Sequence, residues 1–185
     1  MKRKILRKKL WTLVLFLIKF NLLAIPMYIV IAINANQEIL SYQPLQLFLR
    51  DITYQTLKFI EYSVGLSEDP RCSIPVILIS GHSIDPICIS WDCTGWKSMY
   101  ALLALTLTTP FSNLRKKLKF LAIGIPTIFF LNYLRIITTI LISLNFGIQY
   151  FEVVHTLLWR EGLILAVIAI WYLWLKKVKY NISQK

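Results

Sequence analysis

The sequence predicts an all-α membrane protein, a single integral domain with a bundle of four transmembrane helices, an extracytoplasmic amphipathic helix and a short irregular or β loop. Three observations lead there. Hydrophobic residues make up 57% of the 185 positions, and the mean hydropathy is positive, so the chain carries more apolar surface than a soluble core of this size hides. Lys and Arg gather at the ends of long apolar runs. The runs themselves number four, which returns the chain to the side on which it starts.

The first run, about 10–35, follows a basic tail and is long enough to cross a hydrocarbon core of roughly 30 Å. Small residues at Ala32 and Ala35 resemble a signal-peptide cleavage site. The run is longer than a signal peptide's apolar region, which favours an uncleaved anchor. Lys19 and Asn21 interrupt it, and the lysine reads as snorkelling to the cytoplasmic face. Residues 42–66 are apolar in part but carry Arg50, Asp51, Lys58 and Glu61. Leu45, Phe48, Leu49, Ile52, Leu57, Ile60 and Val64 recur there at helical spacing, predicting an amphipathic helix that lies on the outer membrane surface or caps the bundle. The outer loop, 67–92, mixes β-branched residues with Pro75, Gly81, Asp85 and Pro86, a pattern of short strands and turns. Three more crossings follow, at about 95–111, 118–144 and 156–175, each about 17 residues or longer.

Charge fixes the orientation. Six basic residues lie in the N-terminal tail (Lys2, Arg3, Lys4, Arg7, Lys8, Lys9), four between the second and third crossings (Arg115, Lys116, Lys117, Lys119) and four in the C-terminal tail (Lys176, Lys177, Lys179, Lys185). None of these segments contains an acidic residue; all nine lie elsewhere, at Glu38, Asp51, Glu61, Glu68, Asp69, Asp85, Asp92, Glu152 and Glu161. Lys and Arg stay cytoplasmic in membrane proteins, so both termini and the 112–119 loop of this plasma-membrane protein are expected on the cytoplasmic side. The net charge of +12 therefore reports topology rather than a nucleic-acid partner. The sequon Asn181-Ile182-Ser183 falls in the cytoplasmic tail and reads as chance.

Three ionisable residues at the outer edge of the bundle carry the candidate chemistry, because such groups are costly within a membrane. Cys93 stands in Asp92-Cys93-Thr94-Gly95-Trp96-Lys97, at the start of a helix. A helix N-terminus and an ammonium one turn on both favour the thiolate, the nucleophilic form. The bland alternative is an ordinary interfacial cysteine. Arg135, in Leu131-Asn132-Tyr133-Leu134-Arg135, lies roughly 24 Å along its helix from Lys119 at 1.5 Å per residue. It needs an anionic or carbonyl partner, or snorkels to the headgroups. His155 opens the last crossing, with Glu152 three residues earlier to orient or charge it, although a lone interfacial histidine is more often structural. The charge-derived topology brings all three to the outer leaflet. A thiol, a base and a cationic oxyanion partner form a recurring arrangement for acyl transfer.

Cys72 and Cys88 share the outer segment. A disulfide between them would close a loop worth roughly 3 kcal/mol, and two buried free thiols are the alternative. Cys72, His82, Cys88 and Cys93 have no recognised zinc spacing. No glycine-rich phosphate loop is present; no cofactor and no metal are expected.

The stretch Asp92-Cys-Thr-Gly-Trp-Lys, then Asn132-Tyr-Leu-Arg135 on a later span, then His155 opening the last one, resembles the exosortase/archaeosortase family of membrane transpeptidases over about residues 90–174. The resemblance implies a nucleophile at Cys93, with Arg135 and His155 completing the site and Arg160 as the alternative third residue, since some members carry an arginine there. The neighbours Asp92, Thr94, Gly95, Lys97, Asn132 and Glu152 would support the site. It also implies the substrates: secreted proteins with a C-terminal sorting signal, made of a short recognition motif, a transmembrane helix and a basic tail. These would be cut outside the membrane and passed through a thioester to a membrane lipid or other envelope acceptor. The chain is short for that family and lacks the extra spans of larger members. Another membrane thiol acyltransferase, or a non-enzymatic assembly or transport partner, are the competing classes.

Overall fold

The computed structural model describes residues 2–37, 43–67, 72, 76–79, 86–110, 112–147, 149–156 and 161–183. The chain is mostly helical. In order it forms α1 (Lys2–Gln37), α2 (Gln43–Phe59), β1 (Val64–Ser67), β2 (Val76–Ile79), a 3-10 turn (Trp91–Thr94), α3 (Trp96–Thr108), α4 (Leu114–Phe146), α5 (Gln149–Val153) and α6 (Glu161–Ser183). Among the described residues, three stretches are long and apolar enough to cross a membrane: Leu10–Ile33, Leu114–Phe146 and Val154–Val178.

Two compact units divide the chain, the first of Met1–Leu40, Lys97–Thr127 and Ala166–Lys185, the second of Ser41–Trp96 and Ile128–Leu165. The first is a bundle with a largely apolar exterior. In it Tyr100 Oη donates to the Leu23 carbonyl at 2.6 Å, and Trp171 Nε1 donates to Thr109 Oγ1 at 3.1 Å. Phe120 stacks on Trp174 with ring centroids 4.7 Å apart. A Cβ on Gly124 would stand 2.9 Å from Leu102 Cδ2, so the absent side chain lets α4 approach α3, as small residues do between membrane helices. Leu10, Trp11, Leu13, Leu17, Leu22 and Tyr28 of α1 are about half exposed or more; in a bilayer such a surface faces lipid.

The segment expected to cross at 95–111 forms α3, which stops at Thr108 after 13 residues, about 20 Å of helix. Its end has a local cause. Pro110 disfavours helical geometry at Thr109, and the hydroxyls of Thr106, Thr108 and Thr109 bond back to carbonyls four residues earlier. Lys117 Nζ then donates to the Leu107 carbonyl at 2.6 Å, a cation at the negative end of a helix. The helices α1 and α4 run beyond the expected 10–35 and 118–144 into their basic flanks, since Lys and Arg are good helix formers. The start expected for the last crossing, 156, precedes the beginning of α6 at Glu161.

The second unit builds a core from Leu49 and Leu57 of α2, Ile77 of β2, Ile89, and Ile136, Ile140 and Leu144 of α4. The α4 residues recur every fourth position and present one face. The buried residues of α2 (Gln46, Leu49, Thr53, Leu57) follow the same logic. This helix ends at Phe59, short of the expected 66. Tyr62 N–H donates to the Leu57 carbonyl and Glu61 N–H to that of Lys58, with Glu61 left-handed at φ 66°, which is a Schellman closure. Released from the helix, Val64–Ser67 pairs antiparallel with Val76–Ile79 in the register Val64↔Ile79, Gly65↔Leu78, Leu66↔Ile77, Ser67↔Val76. A further bridge joins Ile77 to Ile87 and leads the chain toward Cys93.

Candidate active site

The segment 86–95 is held from three sides. Cys88 is joined to Cys72 by a disulfide, with Cα atoms 5.8 Å apart, so of the two alternatives for this pair the structure has the bridge, and Cys93 is the free thiol. Gln46 of α2 donates Nε2 to the Ile89 carbonyl at 3.2 Å. From α4, the fully buried Asn132 donates Nδ2 to the Cys93 carbonyl at 2.8 Å. Within the 3-10 turn the buried Thr94 donates its hydroxyl to the Trp91 carbonyl at 2.7 Å.

Gly95 ends that turn at φ 74°, a conformation that L side chains rarely adopt. A Cβ there would stand 2.7 Å from Asn132 Cγ. The glycine thus permits both the reversal of the chain into α3 and the approach of Asn132. Its neighbour Tyr133 extends the other way, its phenol in contact with Thr56 Oγ1 on α2.

One cavity of about 50 Å³ is lined by Cys93, Arg135 and His155, with Cys88, Thr139 and apolar neighbours. That is space for one or two water molecules. Arg135 Nη2 lies 2.6 Å from His155 Nε2, and Arg135 Nη1 lies 3.4 Å from Asn132 Oδ1. A guanidinium only donates. Its partner Nε2 must therefore be the lone-pair nitrogen, which puts the imidazole proton on Nδ1 and makes His155 neutral in this arrangement. Thr139, one turn beyond Arg135, donates Oγ1 to the Arg135 carbonyl at 2.9 Å.

The other expected site residues distribute differently. Asp92 is exposed within the 3-10 turn. Lys97 belongs to the first unit and does not line the cavity. Glu152 lies in α5, but its side chain is outside the described residues, as are Arg160 and His82 altogether. His155 sits in a π-type turn at 154–156, a departure from α geometry that recurs at functional sites. Ser90, Cys88 and Thr139 were not among the expected site residues. For Ser90 the available signal was its spacing of three from Cys93 at the start of a turn; for Thr139, one helical turn from Arg135.

A model described as transmembrane exosortase matches residues 7–175. The chain belongs to the transmembrane exosortase family. The match reaches back to residue 7, so α1 and the second unit's early elements are family structure as much as the motif-bearing half is. Comparison with curated proteins and with solved structures finds no match. In this exosortase family member, the Cys-Thr-Gly and Asn-x-x-Arg elements are the ones joined by the Asn132 to Cys93 hydrogen bond.

Proposed function

We propose that this exosortase family protein is a membrane-embedded cysteine transpeptidase that cuts C-terminal sorting signals from secreted proteins at the outer membrane face. The observation that carries this reading is the convergence of Cys93, Arg135 and His155, from three separate segments, on one cavity in a chain with this family match.

In the first step the Cys93 sulfur attacks the peptide carbonyl of a substrate anchored in the same membrane. The C–N bond breaks and a thioester remains. Arg135, which rests against Asn132 and His155, turns its N–H groups to the oxyanion, where a positive charge in a low-dielectric site is most effective. His155 begins neutral, so it takes the thiol proton at Nε2 as the guanidinium turns to the oxyanion, then gives it to the leaving amine. An acceptor nucleophile from the envelope, such as a lipid headgroup amine, resolves the thioester; water gives hydrolysis instead.

The topology of this reading has four crossings, with α3 as the second. At about 20 Å, α3 is shorter than the hydrocarbon core, a mismatch that local thinning of the bilayer accommodates. Omitting it would leave three crossings and put the Lys176, Lys177 and Lys179 cluster outside, against the positive-inside rule. The disulfide supports the same orientation, since such bonds persist in oxidising compartments and this one immediately precedes Cys93 in the chain.

The test is processing of a co-expressed substrate bearing a hydrophobic C-terminal helix and a basic tail. Cys93→Ala, expressed at wild-type level, is expected to abolish tail removal, and an intact protein should yield a trappable thioester at Cys93. Unchanged processing by Cys93→Ala refutes the reading. Acyl labelling of Cys93 without shortening of any protein would assign the chain to another class of thiol acyltransferase.

A further inference from the structure

Ser90 occupies the N-cap position of the Trp91–Thr94 turn with φ −69° and ψ 164°. A serine there ordinarily turns its oxygen to a backbone N–H two or three residues on. This one makes no side-chain cap bond. Its backbone carbonyl accepts the Cys93 N–H at 3.0 Å, and its hydroxyl stands 3.3 Å from Cys93 Sγ. The side chain has forgone the cap and faces the sulfur.

That contact changes sense with the protonation of the sulfur. While the thiol holds its proton, S–H is the weak donor and the hydroxyl accepts. Once the proton leaves, the hydroxyl rotates and donates O–H to S⁻, and a hydrogen bond to an ionised partner is roughly twice as strong as a neutral one. The pair therefore favours the thiolate and also aims it, because the backbone and side-chain contacts of Ser90 fix Cys93 at two points. Arg135 of α4 and His155 of the 154–156 turn line the same cavity as Cys93. Asp92 and Lys97 flank Cys93 in sequence.

We infer that Ser90 is a further catalytic residue, a hydroxyl that stabilises and orients the Cys93 thiolate before attack. This rests on the reading of Cys93 as the nucleophile. Ser90 is exposed and caps no backbone group, so its removal leaves the fold intact.

The measurement is the pH dependence of iodoacetamide alkylation of the full-length protein in detergent. The Cys72–Cys88 disulfide leaves Cys93 as the alkylated thiol, and Cys93→Ala serves as the blank. Ser90→Ala is expected to move the rate profile to higher pH, lowering the rate near neutrality about three- to tenfold while the high-pH plateau is kept. Ser90→Thr, which retains the hydroxyl, is expected to restore the wild-type profile. A Ser90→Ala profile that superposes on wild type overturns the inference, as does an equal displacement in Ser90→Thr. The nucleophile reading fails separately, through substrate processing that survives Cys93→Ala. An inactive Cys93→Ala together with an unshifted Ser90→Ala sinks the role of Ser90 alone.

Discussion

At Gly95 a missing side chain organises the site. Its left-handed φ and the 2.7 Å approach of a built Cβ to Asn132 are independent obstacles to any other residue, and both bear on the segment that carries Cys93. Gly95→Ala is expected to destabilise the protein by about 2–4 kcal/mol, combining left-handed strain with overpacking. It should also reduce substrate processing at least as severely as its thermal shift, because Asn132 loses its hold on the Cys93 carbonyl. Thermal unfolding in detergent and the processing assay check the two parts. The motif residues Cys93, Gly95, Asn132 and Arg135 were legible in the sequence as a pattern. Their bonds to one another were not. Residue spacing on a helix tells which face Asn132 and Arg135 share, but only the packed neighbours decide whether the guanidinium snorkels outward or turns to His155.

Local chain geometry accounts for the element boundaries that departed from expectation. Hydrophobic spacing continues at helical period through Ile60 and Val64, so periodicity alone carries the outer helix to 66. The closure at Glu61 is set by two backbone hydrogen bonds, and glutamate is an unusual residue at a left-handed position. Glu61→Gly is therefore expected to stabilise the protein by about 0.5–1 kcal/mol, the relief of left-handed strain exceeding the entropy glycine adds to the unfolded chain. A raised midpoint of thermal unfolding with unaltered processing checks it; a lowered midpoint would show that the Glu61 side chain contributes more than its backbone costs. The α3 boundary carries a local signal in the sequence, since Thr109-Pro110 is a stop signal, although the apolar run continues through Phe111.

Across the whole molecule, charge and hydropathy carry the argument. Reporter domains that fold only outside the cytosol are expected to be inactive when fused at the N-terminus, the C-terminus or within residues 112–119, and active when inserted in the 68–71 segment. An active C-terminal fusion would mean an odd number of crossings and would remove α3 from the membrane. The helix-rich membrane character and the family are the parts of the sequence reading that the structure and the family match support directly.

What the amino-acid sequence determined by itself was membrane residence, the segregation of cation-rich segments from acidic ones, and the identity of the motif residues. Hydrophobicity and charge add along the chain, so their pattern survives without knowledge of contacts. Tertiary structure alone decided that Cys72 bonds to Cys88, that Asn132 reaches a carbonyl 39 residues away, that Arg135 meets His155 and that Ser90 turns to the thiol. Each depends on where a side chain points once distant segments pack, and directional contacts of a few ångströms leave no additive trace in sequence.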